Sequence, residues 1–536
     1  MTTKFRFAMV VLGLGLACAP AALQAQEDEA PSGLPVKYAL QFADARHDYN
    51  VGNLRGALTT YRDLLDELPD DARVMLWIAR CHAGLRREDL ALTYLDKVAE
   101  ADAELANEEQ RFRGEVLHAL GRYEEAIAAF TLHLDFDQPA GEAREEVERF
   151  VNECRRAWLA TDRARDLPVT HFGSEVNSRF DEYAPHWSPD GRSIAFTSRR
   201  DGGLNDAIDE DGDFRFFSDV WIAEGGPNGL QRARLLPGEV NSMGYDALLS
   251  WPAFGDQIFV YRNDEFLSGD ICVSTRREDG TWGAIKSLPK PVNSTYYEGS
   301  ASLTADGSKL FFISERPEGL GRGDVYVSER RGSGWSKPAH LGPVVNTPRD
   351  EKFVQALAGG RVLIIASNGH AGFGGYDLYR TEFIEGDWSV PVNLGMPVNG
   401  PREESTFSLS PDGNRLLITA ERPEGFGERD IYEMDVTSHP LLGANLDAVW
   451  AGVVTIRVEH GGEPAADASV RLRDTQGVAT LWEGTTDRNG ELQLRLPANE
   501  TFIIEASDRK RSGDRKWTHA QPAPGAFVDN IVVSIE

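Results

Sequence analysis

The middle of the chain, from Asp166 to about Val436, repeats a small set of phrases at a nearly constant interval. The dipeptide Val-Asn recurs five times, and the steps between copies are 64, 52, 53 and 53 residues. A second phrase, an aspartate followed by an apolar residue and then an aromatic residue or cysteine, begins at Asp219, Asp270, Asp324, Asp377 and Asp430. Several phrases sharing one period of about 50 residues indicate a repeat architecture in which each copy is one supersecondary unit.

Each copy is predicted to hold four short strands. A turn, in its fullest form Ser-Pro-Asp-Gly, precedes two or three apolar residues such as residues 310–312, a run too short and too rich in β-formers for a helix. A Gly-rich link then leads to the aspartate phrase, and the last strand ends in Val-Asn. Trp282, Trp335 and Trp388 recur at intervals of 53 in that last strand. We interpret them as packing residues, because buried tryptophans dominate core energetics.

The phrases give five units, and the fifth stops near Val436 without its own Val-Asn strand. An unpaired strand of this kind, Val169 to Asn177, stands before the first unit. If it completes the fifth unit, no sheet edge is left free, which is the outcome that edge-strand energetics favour. The phrases resemble the WD40-like, TolB-like PD40 repeats, and the resemblance implies a five-bladed β-propeller. It implies little about activity, because a propeller is a platform for many functions.

Residues 35–165 change to helical patterning. The small residues Ala45, Ala79 and Gly114 lie 34 and 35 positions apart, and a further helix is predicted from Gly141 to Leu159. The pattern resembles the tetratricopeptide repeat (TPR), in which small residues mark the contact between paired helices. Such solenoids have a concave groove, so the resemblance implies binding of a peptide or partner domain. The alternative is that three repeats act only as a spacer.

Residues 448–536 alternate as strands again, with turns at Gly461-Gly462 and Asn489-Gly490. Their phrases resemble carboxypeptidase-regulatory-like domains, which are small transthyretin-like β-sandwiches. The predicted fold is therefore multidomain α + β, with these boundaries: signal peptide 1–25, linker 26–34, TPR-like helices with a capping helix 35–165, five-bladed propeller 166–438, linker 439–447 and β-sandwich 448–536.

Charge and the amino terminus indicate where the protein works. The formal net charge of −29 disfavours nucleic-acid and anionic-lipid partners, because no basic cluster is available. Lys4 and Arg6 precede a short apolar run and a small-residue cleavage site after Ala25, as in a secretory signal peptide. Cys18 offers the alternative of lipoprotein processing. Either route predicts an exported protein of the periplasm or outer membrane, and no later stretch is apolar enough to span a bilayer.

Metal and thiol sites are not expected. The remaining cysteines, Cys81, Cys154 and Cys272, stand far apart, without the close spacing of a metal site, and are predicted to be isolated buried thiols. An acidic insertion, Asp201 to Phe217, contains Asp209, Asp211 and Asp213, which are weak calcium candidates. No glutamate closes that loop at the required distance, so we interpret it as a solvated acidic loop. No cofactor is predicted.

Five acids recur once per unit at the start of the innermost strand, and such a ring could form a cation site. Neighbours about 8 Å apart at an effective dielectric near 20 would repel by ~2 kcal/mol per pair, so the ring needs partners. Candidates are Arg200, Arg316 and Arg422 or backbone amides. We interpret the acids as structural clasps: Glu182, Asp246, Glu298, Glu351 and Glu404.

A candidate binding patch comes from the Gly-rich links, which place Leu320, Phe373 and Phe426 at equivalent positions. Three apolar side chains from neighbouring units could form one exposed patch. They could equally pack between units. The sequence leaves both interpretations open.

Catalytic motifs are missing from the sequence: we find no Gly-x-Ser-x-Gly, His-Glu-x-x-His or phosphate-binding loop, and predict no enzyme. The domain order resembles the amino-terminal part of OmpA/peptidoglycan-associated envelope proteins, some of which serve type IX secretion. No OmpA-like domain follows in this sequence, so direct peptidoglycan binding is not carried over. The first hypothesis is a non-catalytic envelope scaffold whose partners are envelope proteins or secretion components. The alternatives are a glycan- or peptide-binding propeller tethered by the TPR region, and a degenerate hydrolase.

Overall fold

The computed structural model describes residues 34–536 except 210–212, 227–228, 253–254, 264–267, 423–424, 428, 444–450, 476, 479, 498–500, 509 and 519–527. Two compact units are present. The first comprises residues up to Val151 together with Ala207–Phe216, and the second comprises Asn152–Asp206 and Phe217–Glu536. Within the described ranges, no helix is long and apolar enough to cross a membrane. The proposed signal peptide and Cys18 lie outside the described residues.

The first unit is built from antiparallel-type helical hairpins, as the 34-residue spacing predicts. The helices, including one that continues into the second unit, are α1 (Val36–Asn50), α2 (Leu54–Glu67), α3 (Ala72–Gly84), α4 (Glu88–Ala101), α5 (Ala103–Glu108), α6 (Gln110–Ala119), α7 (Tyr123–Phe136) and α8 (Glu142–Thr161). Asp71 caps α3 by accepting hydrogen bonds from Arg73 N and Val74 N, at 3.0 and 3.3 Å. The predicted capping helix is therefore present as α8, and α5 is an additional short helix that the repeat spacing does not predict.

Small residues sit where the helices touch. Ala45 and Ala79 are completely buried. A Cβ at Gly114 would lie 2.7 Å from the ring of Phe130, so only glycine allows α6 and α7 to approach this closely. The small-residue pattern of the sequence is thus explained by helix contact distances.

In the second unit, the described strands from β1 (Val169–His171) to β24 (Asp430–Asp435) form five antiparallel sheets and one short pair. The first sheet contains β2 (Glu182–Trp187), β3 (Ile194–Ser198), β4 (Asp219–Ala223) and β7 (Arg234–Leu235), while β5 (Gly225–Gly226) pairs with β6 (Gly229–Leu230). The second contains β8 (Tyr245–Ser250), β9 (Gln257–Asn263), β10 (Ser268–Thr275) and β11 (Lys286–Ser287). The third contains β12 (Glu298–Leu303), β13 (Lys309–Ser314), β14 (Asp324–Arg331), β15 (Gly334–Trp335) and β16 (Ala339–His340). The fourth contains β17 (Glu351–Leu357), β18 (Val362–Ser367), β19 (Asp377–Ile384), β20 (Asp387–Trp388) and β21 (Val392–Asn393), and the fifth combines β22 (Phe407–Leu409), β23 (Arg415–Ala420) and β24 (Asp430–Asp435) with β1.

The fifth sheet is completed by the strand that precedes the first unit, as predicted. Val169 pairs with Met434 and His171 with Tyr432. The strand is shorter than expected, because a 3₁₀ turn replaces it at Gly173–Glu175. Asn177 then clamps Ile431, accepting from its N–H at 2.8 Å and donating to its carbonyl at 3.0 Å.

The same asparagine clamp recurs inside the other four sheets. The Val-Asn asparagine bonds both backbone groups of one residue on the third strand of its own sheet, at 2.7–3.1 Å. The pairs are Asn241 with Val220, Asn293 with Ile271, Asn346 with Val325 and Asn399 with Leu378. The recurring Val-Asn phrase is therefore a backbone clamp.

The first strands of the sheets are neighbours. β2 contacts β8, β8 contacts β12, and β12 contacts β17. Gln355 Oε1 on β17 accepts from Leu409 N on β22 at 3.1 Å. Thr406 Oγ1, just before β22, accepts from Ala184 N on β2 at 3.0 Å. Each first strand thus has a neighbouring first strand on both sides. Trp282, Trp335 and Trp388 are buried, as predicted.

The carboxy-terminal strands form two further sheets around one apolar core. One sheet contains β25 (Ala451–His460), β26 (Glu463–Pro464), β29 (Glu491–Pro497) and β32 (Val528–Ser534), and the other contains β27 (Ser469–Arg473), β28 (Thr480–Thr485), β30 (Thr501–Ser507) and β31 (Ser512–Thr518). Val390, which follows β20, is buried in the same core, and its N–H donates to Arg495 O at 3.0 Å. These sheets therefore pack against the end of the fourth sheet.

Candidate functional site

The five recurring acids are buried, with at most 6% of any one exposed. Each accepts a hydrogen bond from the backbone N–H four residues earlier, in the turn that follows Val-Asn. Burying a carboxylate is costly unless it is hydrogen-bonded, and these amides meet part of that cost. The donor–acceptor pairs are Ser178 with Glu182 (2.8 Å), Ser242 with Asp246 (2.6 Å), Ser294 with Glu298 (2.8 Å), Thr347 with Glu351 (3.0 Å) and Gly400 with Glu404 (3.0 Å).

Arginines complete the clasp in the first three sheets. Arg200 lies 2.9 Å from Glu182, Arg262 lies 2.6 Å from Asp246 and Arg316 lies 3.2 Å from Glu298. Each guanidinium also donates to the carbonyl of the valine in the Val-Asn phrase. The clasp therefore joins three parts of the chain: the acid, the turn before it and the segment that carries the arginine. That segment is the Gly-rich link in the first and third sheets and strand β9 in the second.

Sequence reasoning missed Arg262. It stands 16 residues after its acid, whereas Arg200 and Arg316 stand 18 residues after theirs. Arg262 occupies the strand position opposite Asp246, where the other two sheets have serine. Aligning the paired strands, rather than counting a fixed spacing from the acid, would have identified Arg262.

Among the residues that the structure describes, Glu351 of the fourth sheet and Glu404 of the fifth have no such ion pair with arginine. His370 Nε2 bonds the carbonyl of Val345 at 2.8 Å, the role that arginine has elsewhere. Glu351 instead binds the hydroxyls of Thr347 and Ser367, both at 2.8 Å. Arg422, the predicted partner of Glu404, donates to the carbonyl of Pro397 at 3.3 Å.

Burial raises the pKa of Glu351 to about 8 and that of Glu404 to about 8, so both carry a proton at neutral pH. Burial also lowers the pKa of His370 to about 4, which leaves the ring neutral. Among the described residues, neither acid belongs to a group of three or more His, Cys, Asp or Glu side chains that could hold a metal ion.

The Gly-rich links are held by the aspartate phrase. Asp324 accepts from the N–H groups of Leu320 and Gly321 at 3.0 and 3.1 Å, and Asp430 accepts from Phe426 N at 2.6 Å. Leu320 is 48% exposed and Phe426 is 53% exposed. Both side chains are therefore presented to solvent on fixed backbone.

Phe373 differs from the predicted patch, because it is only 9% exposed. Arg156, near the end of α8, donates to the carbonyl of Gly372 at 2.8 Å, so the helix end lies against this link. Leu204, the equivalent residue of the first sheet, is 50% exposed, and its N–H is held by Asp219 at 2.9 Å. Leu204 lies inside the acidic insertion, which hid this equivalence in the sequence.

The acidic insertion shows no metal geometry where it can be described. Asp209 and Asp213 lie in a turn closed by a bridge between Ile208 and Phe216, and Asp211 lies outside the described residues. Across the described ranges, no group of three or more His, Cys, Asp or Glu side chains is arranged to hold a metal ion. Cys81, Cys154 and Cys272 are buried, as predicted, and none forms a disulfide among the described residues.

The helical unit carries a row of aromatic and arginine side chains on the first helix of successive hairpins and on α8. Arg80 lies over the rings of Trp77 and Phe112, at 5.2 and 5.6 Å, and Arg111 lies 5.8 Å from the ring centre of Phe150. All five are only partly buried. We call these residues the aromatic–arginine row.

Acidic side chains fix the arginines of this row. Arg80 donates to both carboxylate oxygens of Glu109 at 3.0 Å, and Arg111 pairs with Glu115 at 3.1 Å and Glu146 at 2.9 Å. Aromatic residues and arginine are the types enriched in protein interfaces and their hot spots. These ion pairs hold the arginine side chains of the row in place beside the aromatic rings.

Comparison with known proteins identifies one part of the chain. The tetratricopeptide repeat model matches residues 42–106. No curated protein sequence matches significantly. Among solved structures, the type III secretion chaperone SycD of Yersinia enterocolitica, in complex with a peptide of the translocator YopD, is 18% identical over 24% of this chain and 98% of its own, with a TM-score of 0.21. TolB from Acinetobacter baumannii is 12% identical over 55% of this chain and 70% of its own, with a TM-score of 0.28.

Neither TM-score reaches 0.5, so the assignment rests on the repeat model and on the helix contacts. The matched segment covers α2, α3 and α4 with the ends of α1 and α5. Beyond it, α6 and α7 repeat the same hairpin with Gly114 at the contact. The helical region of this chain carries tetratricopeptide repeats.

Proposed function

We propose that this protein is a non-catalytic scaffold of the cell envelope that captures other proteins through its TPR region. The observation that carries the proposal is the aromatic–arginine row, which combines TPR helices with the side chains that dominate protein interfaces. TPR domains in general bind peptide partners. The partners are envelope proteins or components of a secretion assembly.

The strand-rich unit serves as the rigid part of the scaffold. Its five sheets of four or five strands, the completion of the fifth by β1 and the contacts between first strands support a closed five-bladed propeller of the TolB-like type. The final two sheets act as a carboxypeptidase-regulatory-like sandwich packed on the fourth blade. Residues 1–25 direct export, which places the protein in the periplasm or at the outer membrane.

Capture from envelope extracts tests the proposal. Arg80→Glu and Arg111→Glu reverse charge in the row and should each reduce recovery of the partner about tenfold or more, because buried or half-buried charge pairs at interfaces are costly to disrupt. Arg144→Glu is the matched control, because the Arg144 side chain is 51% exposed on α8 and pairs across one helical turn with Glu148. Circular dichroism confirms that each variant remains helical.

A second pair of variants tests the links. Leu320→Ser and Phe426→Ser remove the exposed apolar groups while keeping the backbone bonds to Asp324 and Asp430. We expect a smaller loss of recovery than for the row. If neither pair changes what is captured, and the purified protein instead hydrolyses a peptide or glycan, the scaffold proposal is wrong.

A further inference from the structure

Side chains from all five sheets converge where the first strands begin. The charged groups that act on Lys352 are Arg322 of the third sheet, Asp350 of the fourth and Glu403 and Arg429 of the fifth. Those that act on Tyr297, of the third sheet, include Tyr183 of the first, Tyr261 of the second and Asp350 of the fourth. We call Tyr183, Tyr297, Lys352, Tyr376 and Glu403 the central cluster.

The surroundings of the cluster are fixed by internal pairs. Arg429 Nε lies 2.6 Å from Asp181 and its guanidinium stands 5.0 Å from the ring of Tyr183. Asp350 accepts from Tyr376 Oη at 2.5 Å and from Gly323 N at 2.9 Å. Contacts within the protein therefore occupy these groups and hold the central cluster in place.

Three polar groups of the cluster are not committed in this way. Within the described part of the chain, no hydrogen bond or ion pair is made by Lys352 Nζ, the Tyr297 hydroxyl or the Glu403 carboxylate. All three side chains are half-buried. The Lys352 ammonium rests 4.8 Å from the ring centre of Tyr376. A partly desolvated ammonium gains from an oxygen acceptor, and burial accordingly lowers its pKa.

Two glycines leave room for these side chains. A Cβ at Gly299 would lie 2.0 Å from the Tyr297 hydroxyl, and a Cβ at Gly375 would lie 2.6 Å from Glu403 Cγ. Tyr297 therefore folds over the start of β12, and Glu403 over the link of the fourth sheet. The two glycines thus make room for the Tyr297 hydroxyl and the Glu403 side chain.

The charge balance selects the class of ligand. Cations and carboxylates nearly cancel around the cluster, so an anion would be opposed by Asp350 and Glu403 and a cation by Lys352 and Arg429. A neutral polyhydroxyl ligand can accept from Lys352 and Tyr297 and donate to Glu403. The half-buried ring of Tyr297 supplies an apolar face beside these polar groups, and polar groups beside an apolar face are the usual make-up of a small-molecule site. We propose that the central cluster binds a neutral saccharide.

Saturation-transfer difference NMR on the full chain tests this site. The probes are three neutral trisaccharides, maltotriose, xylotriose and chitotriose, and two charged ones, trigalacturonic acid and the glucosamine trimer. We expect at least one neutral probe to bind, and more tightly than either charged probe. Failure of all three neutral probes, or a preference for a charged probe, overturns the proposal.

Variants locate the binding. Lys352→Met and Glu403→Gln should weaken it about tenfold, because each removes a hydrogen bond to a charged group. Lys286→Met is the matched control, because Lys286 is exposed on β11. Tyr297→Phe deletes only a hydroxyl and keeps the test valid if the charge variants unfold. Binding that survives all three variants, or that Lys286→Met weakens equally, overturns the site.

Discussion

Replacing Glu298 by glutamine should destabilise the strand-rich unit strongly. Glu298 is completely buried and lies 3.2 Å from Arg316, which is itself 11% exposed. Breaking a buried pair leaves an uncompensated charge and costs ~3–5 kcal/mol. Arg316 keeps its bond to Val292 O at 2.8 Å, so we expect the lower end of that range, about 3 kcal/mol.

The equivalent change in the fourth sheet should cost far less. Glu351 is also completely buried, yet its partners are Thr347 and Ser367 rather than an arginine. Its raised pKa of about 8 means that it is already mostly neutral at pH 7. Glu351→Gln therefore swaps one neutral group for another of the same shape, and we expect a loss of about 1 kcal/mol or less.

The pH dependence separates the two further. The pKa of Glu351 rises from 4.5 to about 8 on folding, so the folded state holds this proton more tightly. The contribution of this tighter proton binding to the stability of the folded state is fully present below pH 4.5 and is lost as pH rises towards 8. Glu351→Gln removes it, so the variant should lose least, relative to the parent protein, above pH 8.

Differential scanning calorimetry at pH 6, 7 and 8.5 measures both effects on the transition of the strand-rich unit. At about 2–4 °C per kcal/mol, Glu298→Gln should lower its Tm by about 6–12 °C at pH 7 and Glu351→Gln by about 4 °C or less. Equal losses for the two variants, or a loss for Glu351→Gln that grows with pH, would refute the reasoning.

Three further predictions concern other parts of the chain. Deleting residues 166–177 removes β1 and the Asn177 clamp, and should lower the calorimetric Tm of the strand-rich unit by about 5 °C or more; an unchanged Tm would show that the fifth sheet does not depend on β1. Calcium should bind the insertion no better than about millimolar by titration calorimetry; a micromolar site abolished by Asp209→Ala and Asp211→Ala contradicts this. Intact mass of protein from the native envelope should show a chain that begins at Gln26 without lipid, and a diacylated Cys18 terminus would reverse that assignment.

Repetition made the strands and most clasps predictable from sequence. Val-Asn and the five acids recur because each meets the same backbone groups in every sheet, so their spacing carries structural information. The exceptions are two residues that take part in a clasp from a sequence position other than the repeated arginine position. Arg262 acts from within β9, and His370 takes over one arginine contact, so neither fits the repeated arginine position.

The sequence did not predict those features of the candidate sites that depend on contacts between distant parts of the chain. Phe373 matches Leu320 in sequence, but Arg156 bonds its neighbour Gly372 from 216 residues away, and the repeat contains no sign of that contact. The aromatic–arginine row was equally hidden. Arg80 and Phe112 belong to different repeats and meet only because the helices pack side by side.

Hydrogen–deuterium exchange of the full chain with its captured partner tests the central claim, that proteins bind to the aromatic–arginine row of the TPR region. We expect slower exchange in α3 and α6, which carry Trp77, Arg80 and Phe112, with the start of the first strands unchanged. Protection confined to residues 179–183 and 349–352, with α3 and α6 unaffected, would place the partner on the strand-rich unit and contradict the account.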